Sequence, residues 1–167
     1  KDVPIDSFIL SRVAAGFDTV LNFYADRNVV SDPDMERAFK EHTGWDPSLP
    51  DPYFDLSSDE LFGLFPAELH SGITISAPGF YGPQGRKIRL SPLDPGLNDK
   101  LESFRYGDLR IMNYEMESSA LFGLSRLLGH QAVTLCTMIA NRASMKFTGD
   151  YKASVNKLIK FTLEHLS

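Results

Sequence analysis

"LRIMNYEMESSALFGLSRLLG" spans residues 109–129, and "HQAVTLCTMIANR" follows it at 130–142. The first seven residues read as a short strand. From Glu115 onward, Met116, Ala120, Leu124 and Leu127 recur at helical spacing, and Gly129 supplies the stop, so the spacing predicts a helix. The next stretch is nearly all apolar and reads as a strand ending near Asn141. "DYKASVNKLIKFTLEHL" (150–166) then reads as an amphipathic helix, with Val155, Leu158, Ile159, Thr162, Leu163 and Leu166 in one stripe and lysines opposite. Strand–helix–strand–helix, with one strand apolar throughout, implies an α/β fold: a mixed, largely parallel sheet covered by helices on both faces.

Upstream, "SFILSRVAAGFDTVLNFY" (7–24) reads as strand, turn, strand, with Ala-Ala-Gly as the break. Residues 26–56 are rich in Asp and Pro and hold a short helix at "DPDMERAFKEHTG", started by Pro33 and Asp34 and stopped by Gly44. "DLSSDELFGLFPAELH" (55–70) reads as a helix opened by Ser57 or Ser58 and interrupted at Pro66. Residues 71–90 read as strand, Gly/Pro bend and a second extended piece, and 97–105 as a short helix.

The 167 residues suffice for one domain with a substantial core, and 43% hydrophobic with 23% charged residues is ordinary for a soluble globular protein. A net charge of −5 argues against a nucleic-acid surface, and no apolar run approaches a membrane span. The single cysteine, Cys136, sits among apolar residues and reads as a buried structural thiol. P-loop, GxGxxG, GxSxG and HExxH motifs are absent, and the four histidines lack ligand spacing.

Two constellations carry candidate chemistry. In "GFYGPQGR" (79–86), Gln84 and Arg86 leave the same face if the segment is extended. An amide and a guanidinium together complement a planar edge of acceptor, donor and acceptor, such as that of uracil, while Phe80 offers a flat apolar contact. A surface turn with one core Phe is the competing explanation. In "YEMES", Glu115 and Glu117 suit the first turn of a helix through its dipole, and Met116 suits the core. The alternative is that a carboxylate at a strand tip accepts from two vicinal hydroxyls while Met116 lines a sugar ring.

The order "FYGPQGR", about thirty residues, "NYEMESSA", then "MIANR" resembles the uridine phosphorylases of the nucleoside phosphorylase-I family. The resemblance runs from about residue 3 to 166 and is strongest at 72–86 and 112–142. It implies the three-layer α/β/α fold of that family and phosphorolysis of uridine to uracil and ribose 1-phosphate. It further implies inorganic phosphate as co-substrate, no cofactor or metal, and a cytoplasmic homo-oligomer, dimer or hexamer, with no nucleic-acid or membrane partner. Carried over, Phe80, Gln84 and Arg86 bind the base. Met116 and Glu117 hold the ribose, with Tyr114 and Glu115 close by. Ile139 and Ala140 flank the base, and Arg142 supports the pocket. Gln84, Arg86 and Glu117 are the candidate catalytic residues.

Related purine enzymes carry an Asp where this chain has Asn141, which cannot donate an acid proton, so the resemblance favours a pyrimidine. The family's "RxGT"-type phosphate motif has no match here, and "KDVPIDSF" resembles the segment after it. The expectation is therefore a single domain over 1–167 that forms the C-terminal portion of a longer catalytic domain. A nucleosidase on the same fold and a non-catalytic nucleoside-binding module are the alternatives.

Overall fold

The computed structural model describes residues 3–141 and 144–166. Along the chain run β1 (Phe8–Gly16), a 3-10 turn (Val20–Phe23), α1 (Arg27–Val30), α2 (Pro33–Thr43), β2 (Tyr53–Leu56), α3 (Asp59–Phe62) and β3 (His70–Ser76). A second 3-10 turn (Gly82–Gln84), α4 (Leu97–Ser103), β4 (Arg105–Tyr106), β5 (Leu109–Glu115), α5 (Ser118–Leu127) and β6 (Leu135–Thr137) follow. β7 (Ala140–Asn141), β8 (Lys146–Phe147) and α6 (Tyr151–Leu166) complete the order.

β1, β3 and β5 form a parallel core, and the flanking strands are antiparallel. β4 borders β5, while β2 and β6 share the other edge of β1, opposite Val13–Gly16 and Phe8–Leu10 respectively. This is the expected mixed, largely parallel sheet.

Alternation along the strands gives the two faces different chemistry. Val13, Ala15, Ile73, Ile75 and Phe54 point to one side, where Met35 and Phe39 of α2 and Leu101 of α4 cover them with Phe17 and Phe104. The other side presents Ala14, Gly16, Gly72, Thr74 and Ser76, all buried, and α5 packs against it. Small residues let the α5 backbone come close. A Cβ on Gly16 would fall 2.2 to 2.6 Å from ring carbons of Tyr53, so glycine is what admits that ring.

Several sequence expectations are corrected. Ala14-Ala15-Gly16 is no turn: β1 runs through it, held by pairing to β3, and a 3-10 turn replaces the second strand. Residues 53–56 are a strand, and the following helix shrinks to α3, where the Ser58 hydroxyl accepts the Leu61 N–H at 3.3 Å. α2 starts at Pro33 with Asp34 in its first turn, as expected, and Asp32 caps it, accepting the N–H groups of Asp34 and Met35 at 3.0 Å. Gly44 ends it in the left-handed region at φ 59°. The second extended piece expected within 71–90 does not form, since no strand lies between β3 and β4.

The apolar run at 130–142 yields only the short β6 and β7, and β6 is antiparallel to β1. β2 already occupies the carboxyl half of that edge, leaving Phe8–Leu10 to pair. α6 is also rotated from its expected stripe: Ile159, Leu163 and Leu166 are exposed, whereas Phe161 and His165 face inward. A tilted contact of Phe161 with Phe8 (5.1 Å between centroids) and stacking of His165 on Phe65 (5.6 Å) set that orientation. Cys136 is half-buried, and burial pushes its thiol up to about 11, in keeping with an inert structural role. Among the described residues no helix is long and apolar enough to cross a membrane.

Candidate active site

The three parallel strands end level with one another, Gly16 beside Ser76 and Ser76 beside Glu115. Phe17 N–H donates to the Ser76 carbonyl at 3.0 Å, and Ala77 N–H to that of Glu115 at 2.9 Å, so the pairing persists one residue past the sheet. Three segments leave this carboxyl edge: 17–23, 77–86 and 116–119. Open α/β sheets bind ligands at such an edge.

The "GFYGPQGR" segment is not extended. Pro83 starts the turn Gly82–Gln84, Gly85 follows at φ 69°, and the Arg86 N–H folds back onto the Tyr81 carbonyl at 2.9 Å. Gln84 and Arg86 therefore do not share a strand face. The turn instead buries Gln84 and lays the Arg86 guanidinium over the Phe80 ring, 3.6 Å from its centroid. Arg86 Nε is buried with no hydrogen-bond partner among the described residues, while Phe80 is half-exposed. A second strut joins the segment to β5: Tyr114 donates its hydroxyl to Asn98 Oδ1 at 2.8 Å, and Asn98 Nδ2 donates to the Gln84 carbonyl at 3.4 Å.

The two acids of "EME" divide their work. Glu115 Oε2 accepts the N–H groups of Glu117 at 2.7 Å and Ser118 at 2.8 Å, and Oε1 accepts a short hydrogen bond from the Ser76 hydroxyl. These N–H groups open α5 and have no intrahelical acceptor. Glu117 stands at the cap position, yet its own carboxylate caps nothing and has no hydrogen-bond partner among the described residues. Glu117 and Met116 are exposed at this edge.

β6 is antiparallel to β1, so Ile139 and Ala140 follow the residue paired with Phe8. Cys136, on the same strand, lies close enough to Glu115 and Glu117 for their charge to act on its thiol. Arg142 lies outside the described residues. Asn141 is buried and structural, its Nδ2 donating to the Val3 carbonyl at 2.9 Å and its Oδ1 accepting the Ser144 N–H at 3.2 Å.

Residues that the sequence reading passed over complete the edge. Ser76 Oγ also accepts the Ser119 N–H at 2.9 Å, and the Ser119 hydroxyl donates to Asp18 Oδ2. Tyr53 donates to Asp18 Oδ1 at 2.5 Å; burial, then the neighbouring carboxylate, hold its hydroxyl far above the ordinary tyrosine range, so it stays a donor. A cleft of about 1070 Å³ opens beside Arg86, with Asp18, Trp45, Tyr81, Leu90 and Leu97 in its walls. The only motif-level sign of this network is that small polar residues stand at the end of β3 and in "ESS".

The phosphorylase superfamily model matches residues 1–167. A uridine phosphorylase from Thermococcus kodakarensis is 34% identical over 107 residues, which is 60% of this chain and 36% of that protein. The crystal structure of a Trypanosoma brucei nucleoside phosphorylase, described as showing uridine phosphorylase activity, superposes with a TM-score of 0.86 at 27% identity. That match covers 99% of this chain and 59% of the trypanosomal one. Uridine phosphorylase from Schistosoma mansoni shares the fold, with a TM-score of 0.59 at 20% identity over 99% of this chain and 55% of that one. The chain thus spans little more than half the length of these solved structures and matches about a third of the curated relative.

Proposed function

This chain belongs to the phosphorylase superfamily, and we propose that it is the C-terminal portion of the catalytic domain of a nucleoside phosphorylase acting on uridine. The observation that carries the reading is the division of labour at the carboxyl edge: Glu115 satisfies the start of α5, so the Glu117 carboxylate has no hydrogen-bond partner among the described residues and stands beside Met116. A carboxylate in that state accepts from the vicinal hydroxyls of a ribose. The similarity to uridine phosphorylases from two organisms, at 34% and 27% identity, supports a pyrimidine as the base.

Inorganic phosphate is the co-substrate and attacks the anomeric carbon as the N-glycosidic bond breaks, giving ribose 1-phosphate and uracil. The leaving uracil takes the bonding electrons, and its negative charge spreads over two carbonyl oxygens. Donors aimed at such charge lower the barrier by about 2.7–4 kcal/mol each in comparable sites. Arg86 fits this task because its Nε–H has no acceptor among the described residues and its guanidinium is held by the Phe80 ring. Gln84 adds an amide in the same turn, and Glu117 fixes the sugar, a contribution of positioning. No covalent nucleophile and no cofactor is needed. The reading carries with it a cytoplasmic homo-oligomer.

The test is uracil release from uridine by the full-length protein, with and without phosphate. Phosphate-dependent release that yields ribose 1-phosphate is expected. Release of free ribose without phosphate would make the protein a nucleosidase, and binding without turnover would make it a nucleoside-binding module.

A further inference from the structure

Asp18 lies outside both candidate motifs, yet its carboxylate is the terminus of an almost entirely buried chain of hydrogen bonds that begins at Glu115. Ser76, Ser119 and Tyr53 are wholly buried, and Asp18 is half-buried at the cleft wall. The proton inventory fixes the direction of every bond. Each serine hydroxyl has one hydrogen and an ionised carboxylate has none. Ser76 therefore gives its proton to Glu115 and receives the Ser119 N–H, while Ser119 gives its own to Asp18. Asp18 Oδ1 takes the Tyr53 O–H at 2.5 Å and the Val20 N–H at 2.9 Å. No member of the chain is left with a spare donor, so removing one acceptor forces the others to rearrange.

Both ends of the chain act on the carboxyl edge. At one end, the N–H groups of residues 117, 118 and 119 are held by Glu115 and Ser76 side chains, not by a cap residue of α5 itself. At the other, Asp18 holds Val20 across Thr19, whose backbone sits at φ 69° and ψ 3°. A β-branched residue in the left-handed region is uncommon and strained, so it persists only where its surroundings impose it. The Val20–Asp18 hydrogen bond closes across it, and Thr19 lines the cleft that Arg86 also lines.

We propose that Asp18 is a positioning residue for the sugar-binding turn: through Ser119 and Ser76 it fixes Glu115, and through Glu115 the place from which Met116 and Glu117 meet the pentose. The inference rests on the reading of Glu117 as the ribose ligand. It adds that ribose recognition is set from a residue that does not touch the sugar.

The experiment compares uridine with 2′-deoxyuridine in phosphate-dependent turnover by the full-length protein, wild type against Asp18→Asn and Ser119→Ala. The asparagine keeps the shape of the side chain but points an amide at donors. Misplacing Glu117 costs uridine two hydroxyl contacts but 2′-deoxyuridine only the 3′ one, so kcat/KM for uridine should fall by about 10- to 100-fold and that for 2′-deoxyuridine distinctly less. Amide exchange read in parallel should quicken at residues 117–119 in Asp18→Asn and remain unchanged in β3. An unchanged preference for uridine, or equal losses on both substrates, overturns the proposal, as does unaltered exchange at 117–119. If Asp18→Asn does not fold, Ser119→Ala and Tyr53→Phe, each of which removes a single hydroxyl, answer the same comparison. Wild-type protein inactive on both nucleosides overturns the functional reading itself, a result that is separable from failure of the Asp18 variant alone.

Discussion

Glu115 Oε2 accepts the backbone N–H of Glu117 at 2.7 Å, so two acids separated by one methionine have opposite employments. A helix start favours negative charge, and that general preference accounts for one of them. Glu115 meets it from the end of β5, reaching two N–H groups of the first turn and the hydroxyl of Ser76 on the neighbouring strand. With these donors satisfied, a second carboxylate is surplus to the helix. The cap position then carries an acid that the fold does not use, which is why Glu117 is available for a ligand.

That division predicts different losses in the two variants. Glu115→Ala leaves donors near the start of α5 and the Ser76 hydroxyl without acceptors, and should cost about 1–3 kcal/mol in urea unfolding of the full-length protein. Glu117→Ala should leave the unfolding midpoint unchanged while uridine turnover falls by about tenfold or more. Equal effects of the two substitutions on stability would erase the distinction.

Gly16 to alanine tests the close packing behind the edge. The added methyl would lie within 2.6 Å of several Tyr53 ring carbons, and that ring is wholly buried. Tyr53 must move, which also withdraws its hydroxyl from Asp18. Overpacking of this kind typically costs about 1–3 kcal/mol, so a clearly lowered Tm is expected; an unaltered Tm would mean that the ring finds another place.

How much of this was legible varies by element, and the reasons are physical. β5 and α5 were readable because β5 is a run of seven residues and α5 carries helical spacing with Gly129 just past its end. β2 was not, because "YFDL" is four residues long and becomes a strand only by docking on the carboxyl half of β1. The same docking cut the apolar run at 130–142 short. In the site, the identities at 80, 84, 86 and 117 were visible, but the assumption of an extended chain ignored Pro83 and Gly85, which make the segment a turn. The Asp18–Ser119–Ser76–Glu115 chain was invisible because Asp18 and Ser119 are 101 positions apart, and no sequence window spans them.

Asp55 gives the protein a pH dependence of known sign. It is fully buried on β2, neither carboxylate oxygen has a hydrogen-bond partner among the described residues, and Gly123 is close enough that a Cβ there would sit 2.7 Å from Oδ2. Burial raises its pKa to about 7, against the pull of Arg126 and Arg27 and with a smaller push from Glu36 and Asp18. A raised folded-state pKa means the folded chain binds the proton more tightly than the unfolded one. The stabilisation is therefore complete below about pH 4 and is lost as pH rises towards about 7. Asp55→Asn should remove this component, flattening the fall of urea-unfolding free energy between about pH 4 and 7 and raising stability at about pH 8. A slope identical to wild type would show that the carboxyl group is ionised in the folded protein throughout.

Arg86 is the residue on which geometry and chemistry make the sharpest joint demand. Its guanidinium lies over Phe80 at 3.6 Å and its Nε is buried and unpartnered among the described residues, a combination that requires a planar cation with a donor in its plane. Lysine keeps the charge but has neither the plane nor the fork. If Arg86 receives the charge that develops on uracil, Arg86→Lys should fall nearly as far as Arg86→Ala, both by about 10²–10³-fold in kcat. Phe80→Leu, which removes the ring that orients the guanidinium, should lose less, and its loss should shrink in the Arg86→Ala background because the two act through one contact. Steady-state phosphorolysis of uridine by the full-length variants measures all four. Turnover of Arg86→Ala within about twofold of wild type would remove Arg86 from the chemistry, since a donor to an oxyanion is worth far more than that.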